Sequence, residues 1–329
     1  MNNKKKILEK TNISIIIPLY NSEKTIGTLI HTLIRELNPY FKSIELVLVN
    51  DGSKDNTHEI ALKLFDKYPE KIKYIELSKN FGEHNSVMCG LNYISGDYVV
   101  IMDDDLQNPP SEIIKLVKKL QEGFSVVYSY YKKKKHSWFR NLGSKFNDWV
   151  ATKLLKKPKG LYLSSFKVIR LDLAKKIVQY KGPFPYIDGI ILQLTKNIGV
   201  QYCLHTERAE GESNYTLRKL IHLWLSMFTG FSITPLRIAS ILGIFMAGIS
   251  VLLILFFIVS YFLGGIFFKQ IIPPGWASLI IVVTFFAGIQ LILLGIIGEY
   301  LGRLFLTINK LPQYVVNKIY KKKNEENDR

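Results

Sequence analysis

Five short apolar runs rich in β-branched residues punctuate the first part of the chain: ISIIIP (13–18), ELVLVN (45–50), KYIEL (73–77), YVVIM (98–102) and SVVYS (125–129). Runs this short, with so few polar interruptions, predict strands covered on both faces. Between the first two, Ile26, Leu29, Ile30, Leu33, Ile34 and Leu37 fall on one helical stripe, with Ser22 as the expected N-cap. A second helix is expected after DGSKDNT, capped by Asp55 or Thr57 and burying Ile60, Leu64 and Phe65. This βαβα alternation predicts an α/β domain with a mostly parallel sheet and helices on both faces. From about 133 to 232 the pattern loosens. There KKKKHSWFRNLGSKFNDWVATKLLKK is basic and aromatic, as a helix near a membrane surface would be. Further on, Leu217, Leu220, Ile221, Trp224, Leu225 and Phe228 oppose Arg218, Lys219, His222 and Ser226. That stripe predicts an interfacial amphipathic helix over 216–235, with an ordinary packed helix as the alternative.

Two longer apolar blocks follow, 236–264 with the single charge of Arg237 and 277–298 with none. Each exceeds the roughly 20 residues that cross a bilayer as a helix. Transmembrane helices are therefore expected over 236–264 and 277–301, rather than a pair of buried core helices. Arg218, Lys219, Arg237, Arg303, Lys310 and Lys318 flank the blocks, while the connecting GIFFKQIIPPGW holds one lysine. The positive-inside rule then sets the N-terminal region and the basic tail, 302–329, in the cytoplasm. Tyr261 and Trp276 are candidate interfacial anchors, and only the charged KKKNEENDR reads as disordered. MNNKKKILEKTN carries no apolar core of a signal peptide, and residues 1–11 are expected to be a tail.

Charge fits this picture: 44 Lys and Arg against 27 Asp and Glu leave a net +17, which calls for a polyanionic partner. Beside such apolar blocks the partners are an anionic membrane surface and phosphorylated ligands, not nucleic acid. Cys89 and Cys203 have no metal-ligand spacing and are expected as free thiols.

Ligands of open α/β sheets bind beyond the carboxyl ends of the strands. Polar clusters stand there: PLYNSE, NDGSKDNT, SKNFGEHN and DDDLQNPP follow the first four strands. No GxGxxG follows the first, which argues against a dinucleotide fold. Three adjacent acids at a strand end repel one another unless a cation joins them, so a solvated acidic turn is the weaker reading. In extended chain Asp103 and Asp105 point to one side and Asp104 to the other. Asp103 and Asp105 can therefore grip one hard cation, Mg²⁺ or Mn²⁺, with Gln107 as a neutral third ligand. Asp104 is expected to cap or brace the loop. His84 is expected to pack at a helix start rather than serve as a base.

IIIPLYNSE, VNDGSKDNT, LSKNFGEHNSVMCGL and GDYVVIMDDDLQNPPSEI together resemble the GT-A domain of family 2 glycosyltransferases, placed here at 12–215. SWFRNLGSK, ERAEGESNY and TPLRIASILG narrow the resemblance to bacterial polyprenyl-phosphate glycosyltransferases, the group of bactoprenol glucosyltransferases and the undecaprenyl-phosphate aminoarabinose transferase. The resemblance covers roughly 12 to 315. It implies a metal-dependent, inverting transfer of one sugar from a nucleotide-sugar, expected as a UDP-sugar, to undecaprenyl phosphate. The place would be the cytoplasmic face of the inner membrane, in a multi-pass protein that could assemble as a homo-oligomer.

By the same resemblance Pro18, Tyr20, Asn21, Asp51 and Ser53 frame base and ribose, Asp51 accepting from the uracil imino group. Lys79, Asn80 and Asp104 lie near that nucleotide. Asp103 and Asp105 are the catalytic acids, holding the metal with Gln107. Arg140, Lys145, Arg208 and Ser213 would meet the acceptor phosphate. The chain departs from the family pattern at Asn50, the first position of the usual DDGS, and at Asn214, the usual lysine of GESKY. YNSE replaces the commoner YNE, and Leu161 stands where many relatives carry an aspartate. A processive polysaccharide synthase would show QxxRW and more spans, and a nucleotidyltransferase a Gly-rich loop after the first strand; neither is present. The departures leave a degenerate, non-catalytic membrane scaffold as the alternative of a different class.

Overall fold

The computed structural model describes residues 8–131, 157–158, 160–206, 276–309 and 311–322, with isolated helical positions between 236 and 259. Two compact units result, Met1–Leu220 with Lys310–Arg329, and Ile221–Asn309. The first unit is built on β1 (Asn12–Leu19), α1 (Ile26–Leu37), β2 (Ser43–Asn50), α2 (Thr57–Lys67), β3 (Ile72–Leu77), α3 (Glu83–Leu91) and β4 (Tyr98–Ile101). It continues through α4 (Ser111–Leu120), β5 (Val126–Tyr130), β6 (Lys167–Arg170), α5 (Leu171–Ile177), α6 (Ile187–Leu194) and β7 (Ile198–Tyr202).

The five expected strands form, and β1 pairs in parallel with β2 on one side and β4 on the other. Ile13, Ile15, Ile16 and Ile17 of β1 are all buried, as a strand covered on both faces requires. On one face Ile13, Ile15 and Ile17 join the core with Ile26, Leu29, Ile30, Leu33 and Leu37 of α1. On the other, α3 approaches so closely that a Cβ on Gly90 would lie 2.6 Å from Ile16 Cγ2. Glycine there is a packing requirement.

Two cap expectations resolve differently. Ser22 does not cap α1 with its side chain; its carbonyl accepts the N–H groups of Thr25 and Ile26, both at 3.1 Å. The hydroxyl is engaged elsewhere, in the crevice described below. Asp55 does serve the first turn of α2, accepting from the Thr57 N–H at 3.1 Å and the Thr57 hydroxyl at 2.5 Å. Thr57, Ala61 and Leu64 are the buried side chains of α2, with Ile60 and Phe65 packed at the margin.

The sheet has eight strands in the order β7-β5-β6-β4-β1-β2-β3-β8. The chain steps outward from β1 to β2 and β3 on one side, then places β4 on the other. The strand order therefore reverses between β1 and β4, and the crevice beyond their carboxyl ends is where such sheets bind ligands. β6 is antiparallel to both β4 and β5, while β7 runs parallel to β5.

The eighth strand, β8 (Val316–Tyr320), corrects the expected 302–329 tail. It pairs antiparallel to β3, with Tyr320 opposite Tyr74 and their rings stacked at 5.4 Å. Asn92 donates to the Tyr314 hydroxyl at 3.0 Å, and Gln313 donates to the carbonyls of Tyr180 and Gly182 at 3.1 and 2.7 Å.

In the second unit α7 (Trp276–Ile308) runs for 33 residues, past the expected end at 301. No proline interrupts it, and Gly302 alone does not stop a helix so strongly apolar. At 1.5 Å per residue it is about 50 Å long, more than a bilayer's hydrocarbon core. Its stretch Phe285–Ile308 is the one helix among the described residues long and apolar enough to cross a membrane. Leu291, Ile292, Leu294, Leu301, Leu304 and Phe305 are all bare. The expected first span, 236–264, is described only at isolated positions. They are helical, and Ile241, Ile244, Phe245, Leu252, Leu255 and Val259 among them are exposed. The amphipathic helix expected over 216–235 lies outside the described residues.

Candidate active site

Four loops meet beyond the carboxyl ends of β1 to β4, and hydrogen bonds lace them together. Asn21 carries a left-handed φ of 55°. Its N–H donates to the Ser53 hydroxyl at 3.0 Å, and its side-chain oxygen accepts from the Lys54 N–H at 2.9 Å. The Glu23 N–H reaches Asp55 at 3.1 Å, and the Asn56 N–H returns to Glu23 at 3.1 Å. Gly52, with φ 66°, lets the β2 loop touch the β3 loop: a Cβ there would lie 2.7 Å from Asn80 N and from Lys79 C. Only glycine meets both demands.

Asn50 and Asp51 are buried at the root of this lattice. The Asn50 side chain accepts from the Ser53 N–H at 3.0 Å and donates to the buried Tyr74 hydroxyl at 3.0 Å. Asn50, in place of the first acid of DDGS, is thus a working brace. Asp51 accepts from the Phe81 and Gly82 N–H groups at 2.7 and 2.8 Å, one to each carboxylate oxygen. Burial raises its pKa and these amides only partly offset the rise. No local pattern announces this brace. Lys79 and Asn80 are exposed on the same rim, Lys79 Nζ lying 5.2 Å from the Phe81 ring centroid. Pro18 is half-buried and Tyr20 exposed at the end of β1.

The first two acids after β4 bond to different neighbours. Asp104 turns toward β1, where it accepts from the Ser22 hydroxyl. This is the bracing role expected of it, and it ties the two strands flanking the reversal. Asp103 turns the other way and accepts from the Ser165 hydroxyl. Asp105 accepts the Gln107 N–H at 3.1 Å. Between them Leu106 holds φ 60°, a strained conformation for a leucine. Thr206 pins the turn, its hydroxyl donating to the Leu106 carbonyl at 3.0 Å and its N–H to the Gln107 carbonyl at 2.9 Å. The Gln107 side-chain amide extends toward the Thr206 carbonyl at 3.5 Å.

Electrostatics mark this turn. Asp103 is pushed up to about 7, first by burial and then by the charge of Glu83, with the Ser165 bond acting against both. Asp104 is pushed up to about 6 by burial, the Ser22 bond opposing. Glu83, the first residue of α3, meets solvent but is crowded by the crevice wall. That crowding raises its pKa, Lys167 opposes it, and Asp188, Asp104 and Asp105 reinforce it. His84 packs edge-on against Tyr186 at 5.1 Å, and burial lowers its pKa to about 4. It is neutral at physiological pH.

Sequence reading missed Ser165, Thr206 and Asp188. Ser165 and Thr206 are remote along the chain from Asp103 and from the Leu106–Gln107 turn that they bond, Asp188 pairs with Lys167, and no local pattern announces any of them. Leu161, at the family's aspartate position, is buried and contributes its carbonyl to Lys157 Nζ at 2.6 Å. Tyr162 beside it is exposed, within electrostatic reach of Asp103. Arg140, Lys145, Arg208 and Ser213 lie outside the described residues. Among the described residues no three His, Cys, Asp or Glu side chains form a ready-made metal cage. Two oxygen-donor carboxylates beside an open crevice suit Mg²⁺ or Mn²⁺ of the kind that completes its shell with substrate phosphates.

Residues 14–178 match the profile of Glycosyl transferase family 2. The chain is 31% identical over 325 residues to undecaprenyl-phosphate 4-deoxy-4-formamido-L-arabinose transferase of Proteus mirabilis, covering 97% of this chain and 99% of that one. It is 33% identical over 315 residues to the uncharacterized glycosyltransferase YkcC of Bacillus subtilis, covering 93% and 94%. Among solved structures it superposes on glucosyl-3-phosphoglycerate synthase of Mycobacterium tuberculosis in complex with Mn²⁺, UDP and phosphoglyceric acid. The TM-score is 0.52 at 18% identity, covering 69% of this chain and 79% of that one. At that identity the likeness establishes the GT-A fold alone. The chain belongs to glycosyl transferase family 2. It is a glycosyltransferase with a GT-A domain.

Proposed function

We propose that the protein transfers one sugar, with inversion, from a UDP-sugar to undecaprenyl phosphate at the cytoplasmic face of a bacterial inner membrane. The observation that carries this reading is the split of the acid triplet at the strand-order reversal. Asp104 accepts from Ser22 on the β1 side, Asp103 accepts from Ser165 on the other, and Asp105 accepts the Gln107 N–H. The Proteus relative is named for transfer to undecaprenyl phosphate, and the mycobacterial neighbour was solved with Mn²⁺ and UDP.

Pro18, Tyr20, Asn21, Ser53, Lys79 and Asn80 line the rim on which base and ribose rest. Asp51 keeps lone pairs beyond those given to Phe81 and Gly82, and these can accept the uracil imino proton. Asp103, Asp105 and Gln107 hold the divalent ion, which when bound supplies Lewis-acid neutralisation of the departing diphosphate. Arg140, Lys145, Arg208 and Ser213 receive the acceptor phosphate. That phosphate is already an anion at neutral pH, so it attacks the anomeric carbon without a strong base. Neither Leu161 nor neutral His84 needs to provide one. The apolar 236–264 segment and α7 hold the domain beside the bilayer in which the polyprenol is dissolved.

The test is purified full-length protein with Mn²⁺ or Mg²⁺, a panel of UDP-sugars and undecaprenyl phosphate, read by mass detection of the glycolipid. A lipid-linked sugar that disappears in Asp105→Ala supports the reading. No product with any donor, together with Mn²⁺-independent UDP binding, overturns it in favour of the scaffold.

A further inference from the structure

The wall of the crevice opposite the β1–β3 loops carries aromatic rings that the donor-site reading leaves unused. β6 is antiparallel to β4 and to β5, and β7 runs parallel to β5. The carboxyl ends of β5 and β7 and the amino end of β6 therefore share the rim on which β4 ends. The pairing continues past the strands at that rim. The Ser129 N–H donates to the Phe166 carbonyl and the Cys203 N–H to the Tyr130 carbonyl, both at 3.1 Å, and the Ser165 hydroxyl reaches Asp103.

Three rings stand there: Tyr131 directly after β5, His205 beyond β7 and Tyr162 ahead of β6. The Tyr131 and His205 centroids are 4.2 Å apart with planes tilted by 32°, and Tyr162 meets Tyr131 edge-on at 6.2 Å. Tyr131 is the fixed member. Its hydroxyl donates to Asn108 Oδ1 at 2.7 Å and lies 3.0 and 3.2 Å from the hydroxyls of Ser129 and Ser164, all three partners being buried. Asn108 belongs to the acid loop, and Thr206, next to His205, is bonded to Leu106 and Gln107 of the same loop. The rings are thus tied at two points to the turn that carries the acids. Tyr162 is 58% exposed and within electrostatic reach of Asp103.

A nucleotide-sugar is a linear ligand of base, ribose, diphosphate and sugar. With base and ribose over the loops of β1–β3 and the diphosphate at the acids after β4, the sugar falls over the next strands in the sheet order, β6 and β5. That is where the rings are. A pyranose has an apolar C–H face that complements the negative face of an aromatic ring, while its hydroxyls point outward from the ring edge. Sites for small ligands commonly combine such an aromatic wall with a few fixed polar groups.

We propose that Tyr162, backed by Tyr131 and His205, is the platform on which the sugar ring of the donor stacks, and so helps select which UDP-sugar is accepted. The proposal rests on the donor-site reading above. Tyr162 touches the substrate; Tyr131 is a positioning residue that holds the wall to the Asn108 loop.

The experiment pairs two measurements on full-length protein in detergent with Mn²⁺. One is glycolipid formation against the concentration of the UDP-sugar that wild type turns over, and the other is calorimetric titration of UDP alone. Tyr162→Ala should raise the donor KM about fivefold, the scale of one aromatic contact, and leave both the UDP affinity and the KM for undecaprenyl phosphate unchanged. Tyr162→Leu, apolar but without a π face, should behave as Tyr162→Ala does, and Tyr162→Phe should restore the donor KM to within about twofold of wild type. A wild-type donor KM in the alanine or the leucine variant overturns the proposal. An equal loss of UDP affinity overturns it by placing the ring at the nucleotide, and a rise confined to the undecaprenyl phosphate KM overturns it by giving the wall to the lipid. Failure of the donor-site reading looks different: wild type then makes no glycolipid from any UDP-sugar, and both readings fall together.

Discussion

The two ends of the same sheet treat their acids in opposite ways. At the amino ends of β1 to β3, Glu45 is surrounded by donors: Lys73 at 2.5 Å, the Ser14 hydroxyl, and the Ser95 hydroxyl and N–H at 2.9 and 2.8 Å. Burial raises its pKa, but Lys73, Ser14 and Ser95 outweigh that and hold it below the usual carboxylate value. At the carboxyl ends, Asp103 and Asp104 each have one hydroxyl donor and several like charges nearby, and both are pushed up. The first arrangement is complete in itself. The second is short of positive charge, and a shortfall built into a crevice indicates that a ligand brings the remainder.

The largest effect that could break this contrast is on activity. Asp105→Ala should reduce glycolipid formation by about 10³-fold, since several kcal/mol of leaving-group stabilisation is lost and each 1.36 kcal/mol is tenfold. Glu45→Gln should leave the rate within about twofold in the same assay. Equal losses would erase the distinction between the two ends.

Next in size is the pH dependence of metal binding. Carboxylates must lose their protons to bind a cation. With Asp103 pushed up to about 7, Mn²⁺·UDP affinity should climb as the pH rises toward and through that value, then level off above it. A flat titration between about pH 6 and 8 would contradict the raised acid.

Gly52→Ala sharpens the comparison from the neutral side. A methyl group at φ 66° and 2.7 Å from the Lys79–Asn80 backbone should cost about 1–3 kcal/mol and weaken UDP binding. Thermal melting and UDP titration of the variant measure both.

The smallest effect belongs to the satisfied end. Glu45→Gln should cost about 1 kcal/mol, because the pair with Lys73 is partly open to water. Glu45 has a lowered pKa in the folded state, so its contribution is present above the unfolded-state value near 4.3 and is lost as the pH falls through the folded one. Chemical denaturation from neutral to mildly acid pH should therefore show a flatter profile for the variant.

Much of the β1–β4 half was legible in the sequence because its signals are local. ISIIIP, ELVLVN and YVVIM read as covered strands, the Ile26–Leu37 stripe as a helix, and alternation set Asp104 apart from Asp103. The opposite wall was not legible. β6 and β7 are short, and their partners lie far along the chain, so pairing rather than propensity makes them strands. Ser165 reaches Asp103 only through the β4–β6 register, and Asp188 is a lone acid in PYIDG until Lys167 faces it. β8 was hidden by its own edge chemistry, since Asn317 and Lys318 make a strand look like a solvated tail.

That last strand has a consequence for biosynthesis. β3 is a border strand whose outer hydrogen-bonding groups are met by residues beyond α7. While a ribosome is still making α7, the catalytic domain has all its other strands but an open flank. Sealing that flank is a late event, deferred until the apolar helix has been synthesised. A nascent chain stalled before Val316 should accordingly be more readily cleaved by protease around β3 than the released protein.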